Sequence, residues 1–505
     1  MNERYIEKMR KDRSWFLKMS LLFGLCFVFF IYRNMSGITF PILTAALAGF
    51  SAAFLRRMGI TVSKDSVLYG AGILLLGIST CLTASGFLHF FNTLGIMLLF
   101  CAWLLHQIQD DGEWGFLQYL KKFFDLAGMW FLSLAEPFRR SEDDKSVDKK
   151  SGMLKSARTK QVLAGILSAA VFLCIVLPLL MMSDRVFSRF FTELFSLFDL
   201  TDIFEEFDLG NLIGIILTFL TGMIGIYAVF AAVFRMDQGI GKKENVKKAD
   251  TVTGITFTGI LAVVYVFYSM IQIVYLFLRL DTGLPDGMTY SQYAHEGFWQ
   301  LLVVSMINFA AVVICIQIFE KNKVLQMLLC VISVCTCVMI LSAAYRMMLY
   351  VGEYDLTFLR VLVLWFLAVL MIIFFGVIYS IFRREFRLFK YIMAVLSVMY
   401  IGFSFSRPDR IIAEYNITNA ESMDYDDVMY LLYGLSEDAA AELTKIDMEK
   451  LLEIGAVDEV NYYFDDIQTE YSGMSVRTWN FSLSSAAGAA EEWKKTAGIN
   501  GNTVE

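Results

Sequence analysis

"FLRVLVLWFLAVLMIIFFGVIYSI", Phe358 to Ile381, carries one charge, Arg360, near its start and none after it. A hydrocarbon core of about 30 Å needs roughly 20 mostly apolar residues in a spanning helix, since a helix satisfies its own backbone polar groups in lipid. The run is long enough to cross a membrane. Immediately upstream, "SAAYRMMLYVGEYDLTFLR" (Ser342 to Arg360) places Arg346, Glu353, Asp355 and Arg360 between this run and another, Val324 to Ala344. Charges in that position have three readings: a water-facing turn, a salt-bridge cluster at the membrane surface, or the mouth of a substrate site.

The rest of the chain has the same character. Of 505 residues, 57% are hydrophobic, 15% aromatic and 18% charged, which excludes an ordinary soluble globule. Apolar runs predict eleven transmembrane helices. They cover Met19 to Tyr32, Ile38 to Leu55, Val67 to Ser85, Phe87 to Leu105, Val162 to Met182 and Asn211 to Phe234. The others are Gly254 to Leu280, Phe298 to Phe319, Val324 to Ala344, Phe358 to Ile381 and Leu388 to Phe405. The fold class expected is an all-α integral membrane protein with a small C-terminal extracytoplasmic helical domain. The first run follows six basic residues but has no A-x-A cleavage pattern after it, which argues against a signal peptide.

Lys and Arg in the loops set orientation, because basic residues resist translocation. With the N-terminus inside, the inner loops hold Arg56, Arg57 and Lys64, then Lys242, Lys243, Lys247 and Lys248, then Arg383, Arg384, Arg387 and Lys390. Eleven crossings then leave the C-terminus outside the bacterial cytoplasmic membrane. The expected divisions are a basic N-terminus (1–18), a four-span block (19–106), a cytoplasmic amphipathic segment and linker (107–160), a seven-span block (161–405) and an acidic external domain (406–505). From Arg407 onward there are seven Lys or Arg against twenty Asp or Glu, so the tail outweighs the whole-chain balance of −7. "SEDAAAELTKIDMEKLLEIG" suggests helix, with Ser436 as an N-cap and Gly455 as a stop. Tyr430, Tyr433, Tyr462, Tyr463, Trp479 and Phe481 are candidates for its core. Its acidity suits a solvated surface, or a patch for cations or a basic partner.

Two further stretches are amphipathic. "DRVFSRFFTELFSLFDL" has Phe187, Phe190, Phe191 and Phe198 on one face. "EWGFLQYLKKFFDLAGMWFLSLAEPFRR" combines Trp114, Leu117, Leu120, Phe124 and Trp130 with Lys121, Lys122, Arg139 and Arg140, which suits anionic headgroups. Either stretch lies in the membrane interface or packs on neighbouring spans.

Chemistry-bearing motifs are scarce. There is no Walker loop, G-x-S-x-G, H-E-x-x-H or dinucleotide fingerprint. All eight cysteines fall in apolar runs, where a thiol packs as a small residue, and His89, His106 and His295 are not at metal-ligand spacing. No catalytic residue, cofactor or metal is expected. The basic loops flank spans, so no nucleic-acid partner is expected either. The lipid bilayer is the expected partner, with other membrane or envelope proteins meeting the C-terminal domain. The candidate site is a polar cluster on the outer face: Tyr293, His295, Glu296, Tyr345, Arg346, Glu353, Asp355 and Arg360. Its structural reading has the arginines snorkelling to pair with Glu296, Glu353 or Asp355; its functional reading is a ligand or substrate contact.

"TYSQYAHEGFWQLL", "SAAYRMMLYVGEYDLTFLRVLVLWF", "RPDRIIAEYNI", "YLLYGLSEDAAAEL" and "RTWNFSLSSAAGA" together resemble the ordered landmarks of bacterial polytopic proteins classed as domain of unknown function 4173, related to the 4153 group. Asp355 stands where such proteins often have glycine before "LT". The resemblance implies a multi-span bacterial membrane protein with an extracytoplasmic C-terminal segment and supplies no activity. With few buried charges and no catalytic motif, the leading reading is a non-enzymatic sensor or assembly scaffold. A transporter, or an envelope- or lipid-modifying enzyme, is the alternative.

Overall fold

The structure is a computed structural model and describes residues 2–64, 66–109, 111–112, 114–139, 209–236, 249–274, 298–383, 385–419 and 423–497. It is all-α. Among the described residues there is no strand, only an isolated bridge between Ala249 and Phe319.

In chain order the longer helices are α1 (Asn2–Lys11), α2 (Arg13–Ile31), α3 (Thr39–Met58), α4 (Ser66–Leu82), α5 (Gly86–Ile108) and α6 (Phe116–Ser133). They continue with α7 (Leu209–Arg235), α8 (Thr251–Gln272), α9 (Phe298–Ile318), α10 (Lys323–Tyr354), α11 (Phe358–Phe382) and α12 (Leu388–Phe405). After these come α13 (Pro408–Asn419), α14 (Tyr425–Met429), α15 (Ala440–Leu443), α16 (Met448–Glu453), α17 (Val457–Ser472) and α18 (Phe481–Thr496). Among the described residues, nine helices are long and apolar enough to cross a membrane; α4, at 17 residues, is shorter. The span expected over Val162 to Met182 and the amphipathic stretch around Phe190 lie outside the described residues. Eleven spans are therefore more than this structure establishes. The span expected to end at Ala344 runs ten residues further, to Tyr354, because Met347 and Val351 bury themselves beyond the charge of Arg346.

The chain divides into two units. In the first (Met1–Gly77, Ile96–Asp111, Lys121–Ile240), α2 packs along α7. Gly222 lets the helices approach: a Cβ there would stand 2.7 Å from that of Phe27, the close contact that small residues give membrane helices. Phe16, Phe54, Phe230 and Phe234 form an aromatic core, with Phe54 and Phe230 centroids 4.6 Å apart.

The second unit (Ile78–Gly95, Gly112–Leu120, Gly241–Glu505) contains the α8–α12 bundle, the α4–α5 corner and the helices after Phe405. Asn322 caps α10 by accepting from the Val324 N–H at 2.8 Å. Leu329, Ile332, Ile373 and Val377 belong to one core of the bundle, and Met339, Leu367 and Phe374 to a second. Tyr391 lies over Gly376, where a Cβ would fall 2.1 Å from the ring, and its hydroxyl donates to the Ile372 carbonyl at 2.7 Å.

Helices α13 to α18 pack around Leu443, Leu451, Val460, Phe464 and Trp493. Phe464 stacks on Trp493, whose Nε1 donates to Asn461 Oδ1 at 2.8 Å. Of the aromatics expected to fill this core, Tyr463 is buried and Tyr430 packs against it, but Tyr433, Tyr462 and Phe481 are exposed. Aliphatic and alanine positions of α15, α17 and α18 fill the space instead. Gly455 stops α16 as expected, with φ +71, a conformation glycine adopts without strain. Ser436 stands at the N-cap position of the 3-10 turn Glu437–Ala439, but its hydroxyl makes no capping bond and donates instead to Asp409 Oδ2 at 2.5 Å.

Candidate functional site

Helix α10 ends at Tyr354, and Asp355 turns the chain with φ 60 and ψ −178. That region belongs almost wholly to glycine and costs another residue about 1–3 kcal/mol. Arg360 sets the conformation. Its guanidinium donates to the carbonyl oxygens of Tyr354 and Asp355 and lies 4.4 Å from the centre of the Tyr350 ring, so one cation satisfies the last carbonyls of α10. The following turn is held by later helices. Leu356 N–H donates to Asn416 Oδ1 at 3.0 Å, Asn416 Nδ2 returns a bond to the Leu356 carbonyl at 2.9 Å, and Phe358 N–H donates to the Tyr430 hydroxyl at 3.0 Å.

A cavity of about 110 Å³ opens here, lined by Asp355, Asn416, Asp427 and Tyr430 among others. Burial raises the Asp427 carboxyl above its ordinary range, and the charges of Asp424 and Asp355 add to this. Asp424 and Asp427 cap α14 reciprocally, at 2.9 and 3.0 Å. Among the described residues no three His, Cys, Asp or Glu side chains are set to hold a metal.

The structure thus brings Asp355 and Arg360 together, through the Asp355 main chain. Tyr345 and Arg346 lie further back in α10, where Arg346 is 9% exposed. Glu353 sits on the last turn of α10. Tyr293, His295 and Glu296 lie outside the described residues.

Within the bundle, side-chain amides and hydroxyls join α8, α9 and α10. Ser342 Oγ donates to Gln272 Oε1 at 2.5 Å, and Gln272 Nε2 to the Tyr268 hydroxyl at 2.9 Å. The Tyr265 hydroxyl donates to Asn308 Oδ1 at 2.8 Å, and Asn308 Nδ2 to Thr336 Oγ1 at 2.9 Å. Arg346 follows Ser342 by one helical turn, on the same face.

A second polar network was invisible to sequence reasoning. Asp438, 5% exposed, accepts from Thr83 Oγ1 at 2.5 Å, from Ala84 N–H at 3.0 Å and from Ser482 Oγ. Asn480, fully buried, caps α18 through Ser482 N–H at 2.8 Å and donates Nδ2 to the Thr83 carbonyl at 3.0 Å. The α4–α5 corner is thereby clamped to helices encoded more than 350 residues later. Further along, Asn92 Oδ1 accepts from Tyr400 at 3.0 Å and from Ser404 at 2.9 Å, and Ser404 meets Ser79 at 2.6 Å. Asp409, beside this clamp, accepts from the Ser436 hydroxyl and from its N–H at 3.2 Å. Burial raises its carboxyl above the ordinary range; the bonds from Ser436 oppose that, and the charge of Asp438 adds to it.

The network contains acceptors and donors in matched pairs and one carboxylate that is fully used, which is the chemistry of a joint more than of a catalyst. No short-range signal announces it, since Asp438 and Thr83 read locally as a helix-start acid and a turn threonine.

Comparison with curated proteins and with solved structures finds no match. A family model described as "Domain of unknown function (DUF4153)" matches residues 70–446, from α4 through α15. This supports the 4153 group and does not extend to the 4173 label that the sequence landmarks suggested. The chain belongs to the DUF4153 family.

Proposed function

We propose that the protein is a non-enzymatic sensor or assembly scaffold of the bacterial cytoplasmic membrane, with its N-terminus inside and residues 406–505 outside. The observation that carries this reading is the Asp438 clamp, which makes the tail and the α4–α5 corner one joined body. A partner that shifts the tail would shift the spans as well. Exposed tyrosines support this reading: Tyr425, Tyr433 and Tyr462 are exposed, and the first two reach Glu459 at 3.5 and 3.3 Å. Tyrosine combines a large apolar face with a polar tip and is enriched at interfaces.

A photo-crosslinking residue at Tyr462 in living cells, in a strain whose deletion phenotype is complemented by the chain, tests this. A discrete crosslink to one envelope protein is expected, with Tyr433→Asp abolishing both the crosslink and complementation. Full complementation by Tyr433→Asp with no crosslink at Tyr462, Tyr433 or Tyr425 would refute the scaffold reading. The Gln272–Ser342 and Asn308–Thr336 pairs favour a second reading, a transporter with a polar path through α8–α10; solute flux in reconstituted vesicles, abolished by Asn308→Leu, would support it.

A further inference from the structure

Glu136 lies in a single 3-10 turn, Glu136–Phe138, after α6, and its side chain is 1% exposed. Three arginines from separate parts of the first unit converge on it. Arg10 Nε reaches Oε1 at 2.7 Å, Arg139 Nη1 lies 3.5 Å from Oε2, and Arg235 Nη2 bonds Oε2 while its Nη1 donates to Ser133 Oγ at 3.2 Å. A fourth, Arg13, donates Nη2 to the Pro137 carbonyl at 2.7 Å. Asp12, the acid next to it in sequence, is paired with Arg57 at 3.0 Å instead.

Three cations therefore meet one carboxylate, and a fourth binds the carbonyl of the next residue. Each guanidinium has five N–H donors, whereas a carboxylate offers about four lone-pair sites, so most of the donors point elsewhere. The buried Nε of Arg13 has no hydrogen-bond partner among the described residues. Arg10 and Arg139 expose 38% and 59% of their side chains, which leaves their donors reachable. Isolated like charges repel and would splay apart; here they are held together by the helix ends that carry them, the start of α2 and the end of α7.

The approach to this cluster is apolar. Trp130 Nε1 donates to the Gly225 carbonyl at 3.3 Å, and Leu134 packs with Ile224 and Ala228, so one side of α6 is fastened to α7. Phe124, Phe131 and Leu132 remain exposed. An apolar helix surface leading to a surplus of guanidinium donors at the ends of spanning helices is the pairing that an acyl chain and its phosphate require.

The geometry points to a binding site for one phosphate group at Arg10, Arg13, Arg139 and Arg235, presented by an anionic phospholipid of the leaflet on the N-terminal side. Arg139 and Arg10 supply the planar forks that hold phosphate oxygens. Glu136 orders the arginines and is itself too enclosed to be displaced.

The test uses the full chain, purified in nonionic detergent and stripped of lipid, titrated with phosphatidylglycerol, phosphatidylcholine or inorganic phosphate and read by native mass spectrometry and thermal unfolding. One tightly held phosphatidylglycerol is expected, preferred over phosphatidylcholine. Arg139→Gln, at the exposed rim, should weaken it about tenfold by removing one charge-assisted contact, and Arg139→Lys less. Stabilisation by inorganic phosphate with the same dependence on Arg139 and Arg10, without preference between the lipids, would keep the phosphate site and make its source the aqueous phase. Equal retention of both lipids with no effect of phosphate overturns the proposal, as does an unaltered phosphatidylglycerol preference in Arg139→Gln and Arg10→Gln.

Discussion

Asp438→Ala removes the acceptor on which Thr83, Ala84 and Ser482 converge. Hydrogen bonds to a charged group contribute about 1.5–3 kcal/mol each, and a buried donor left without a partner loses the full desolvation cost. The three bonds share one carboxylate and are not additive. A loss of about 4 kcal/mol is expected, near the upper end for single substitutions. Asp438→Asn should lose about half as much, because a threonine or serine hydroxyl can turn to accept from the amide. As a control, Asp447→Ala deletes an exposed N-cap, where Glu449 N–H donates at 3.0 Å, and should cost about 1 kcal/mol. The assay is hydrogen exchange in detergent with peptides covering 83–92 and 480–490. Opening should become roughly a thousandfold more frequent, and in both segments together, since both hang on one side chain. Acceleration in the tail alone, or a loss no larger than that of Asp447→Ala, would show that the corner and the tail are not joined through Asp438.

Three further outcomes follow from particular residues. Asp355→Gly should raise thermal stability, by about 1 kcal/mol, since glycine relieves the φ of 60; Asp355→Val should lower it, and a destabilised glycine variant would mean that the carboxylate is needed there. Gly376→Ala should cost about 1–3 kcal/mol by driving Tyr391 off α11, measured as a lower unfolding temperature that Tyr391→Ala partly restores in the double variant. The third concerns pH. The folded Asp409 lies above its unfolded value, so the stability it allows is full at low pH and is lost as pH rises through that raised value. Lowering the pH through that raised value should therefore stabilise the tail, and Asp409→Asn should flatten this part of the profile. Glu442 acts oppositely: burial pushes its carboxyl up, but the bonds and charges of Lys445 and Arg410 outweigh that and hold it low. The stability it gives persists above the unfolded value and is lost only as pH falls through the lowered one. A pH profile of the tail that is unchanged by Asp409→Asn would contradict the Asp409 assignment.

The spanning helices were legible because lipid leaves one local solution for an apolar run, and Phe358 to Ile381 needs no distant partner to be read. Legibility failed where a residue's role depends on something far away in the chain. Arg346 interrupts hydropathy and so predicted an end to α10 that Met347 and Val351 carry past. Asp355 looked like one acid among four, whereas its backbone angles and the Arg360 contact with its carbonyl define it. Arg139 was legible as a membrane-facing cation, but its convergence with Arg10 and Arg235 on Glu136 depends on how the helices meet. The tyrosines of the tail were placed inward by size, and the alanines of α15 and α18 took those positions because close helix approach favours small residues.

The clamp between Asn480 and Thr83 joins residues 397 positions apart. At a synthesis rate of about 5–20 residues per second, roughly 20–80 s separate the appearance of the two partners at the ribosome. Throughout that interval the α4–α5 corner stands with the Thr83 carbonyl and hydroxyl and the Ala84 N–H waiting for groups not yet made. Synthesis of α18 is thus registered at an early portion of the chain, and a product broken off before α18 would leave that corner open to any protease or chaperone that surveys unfinished membrane proteins.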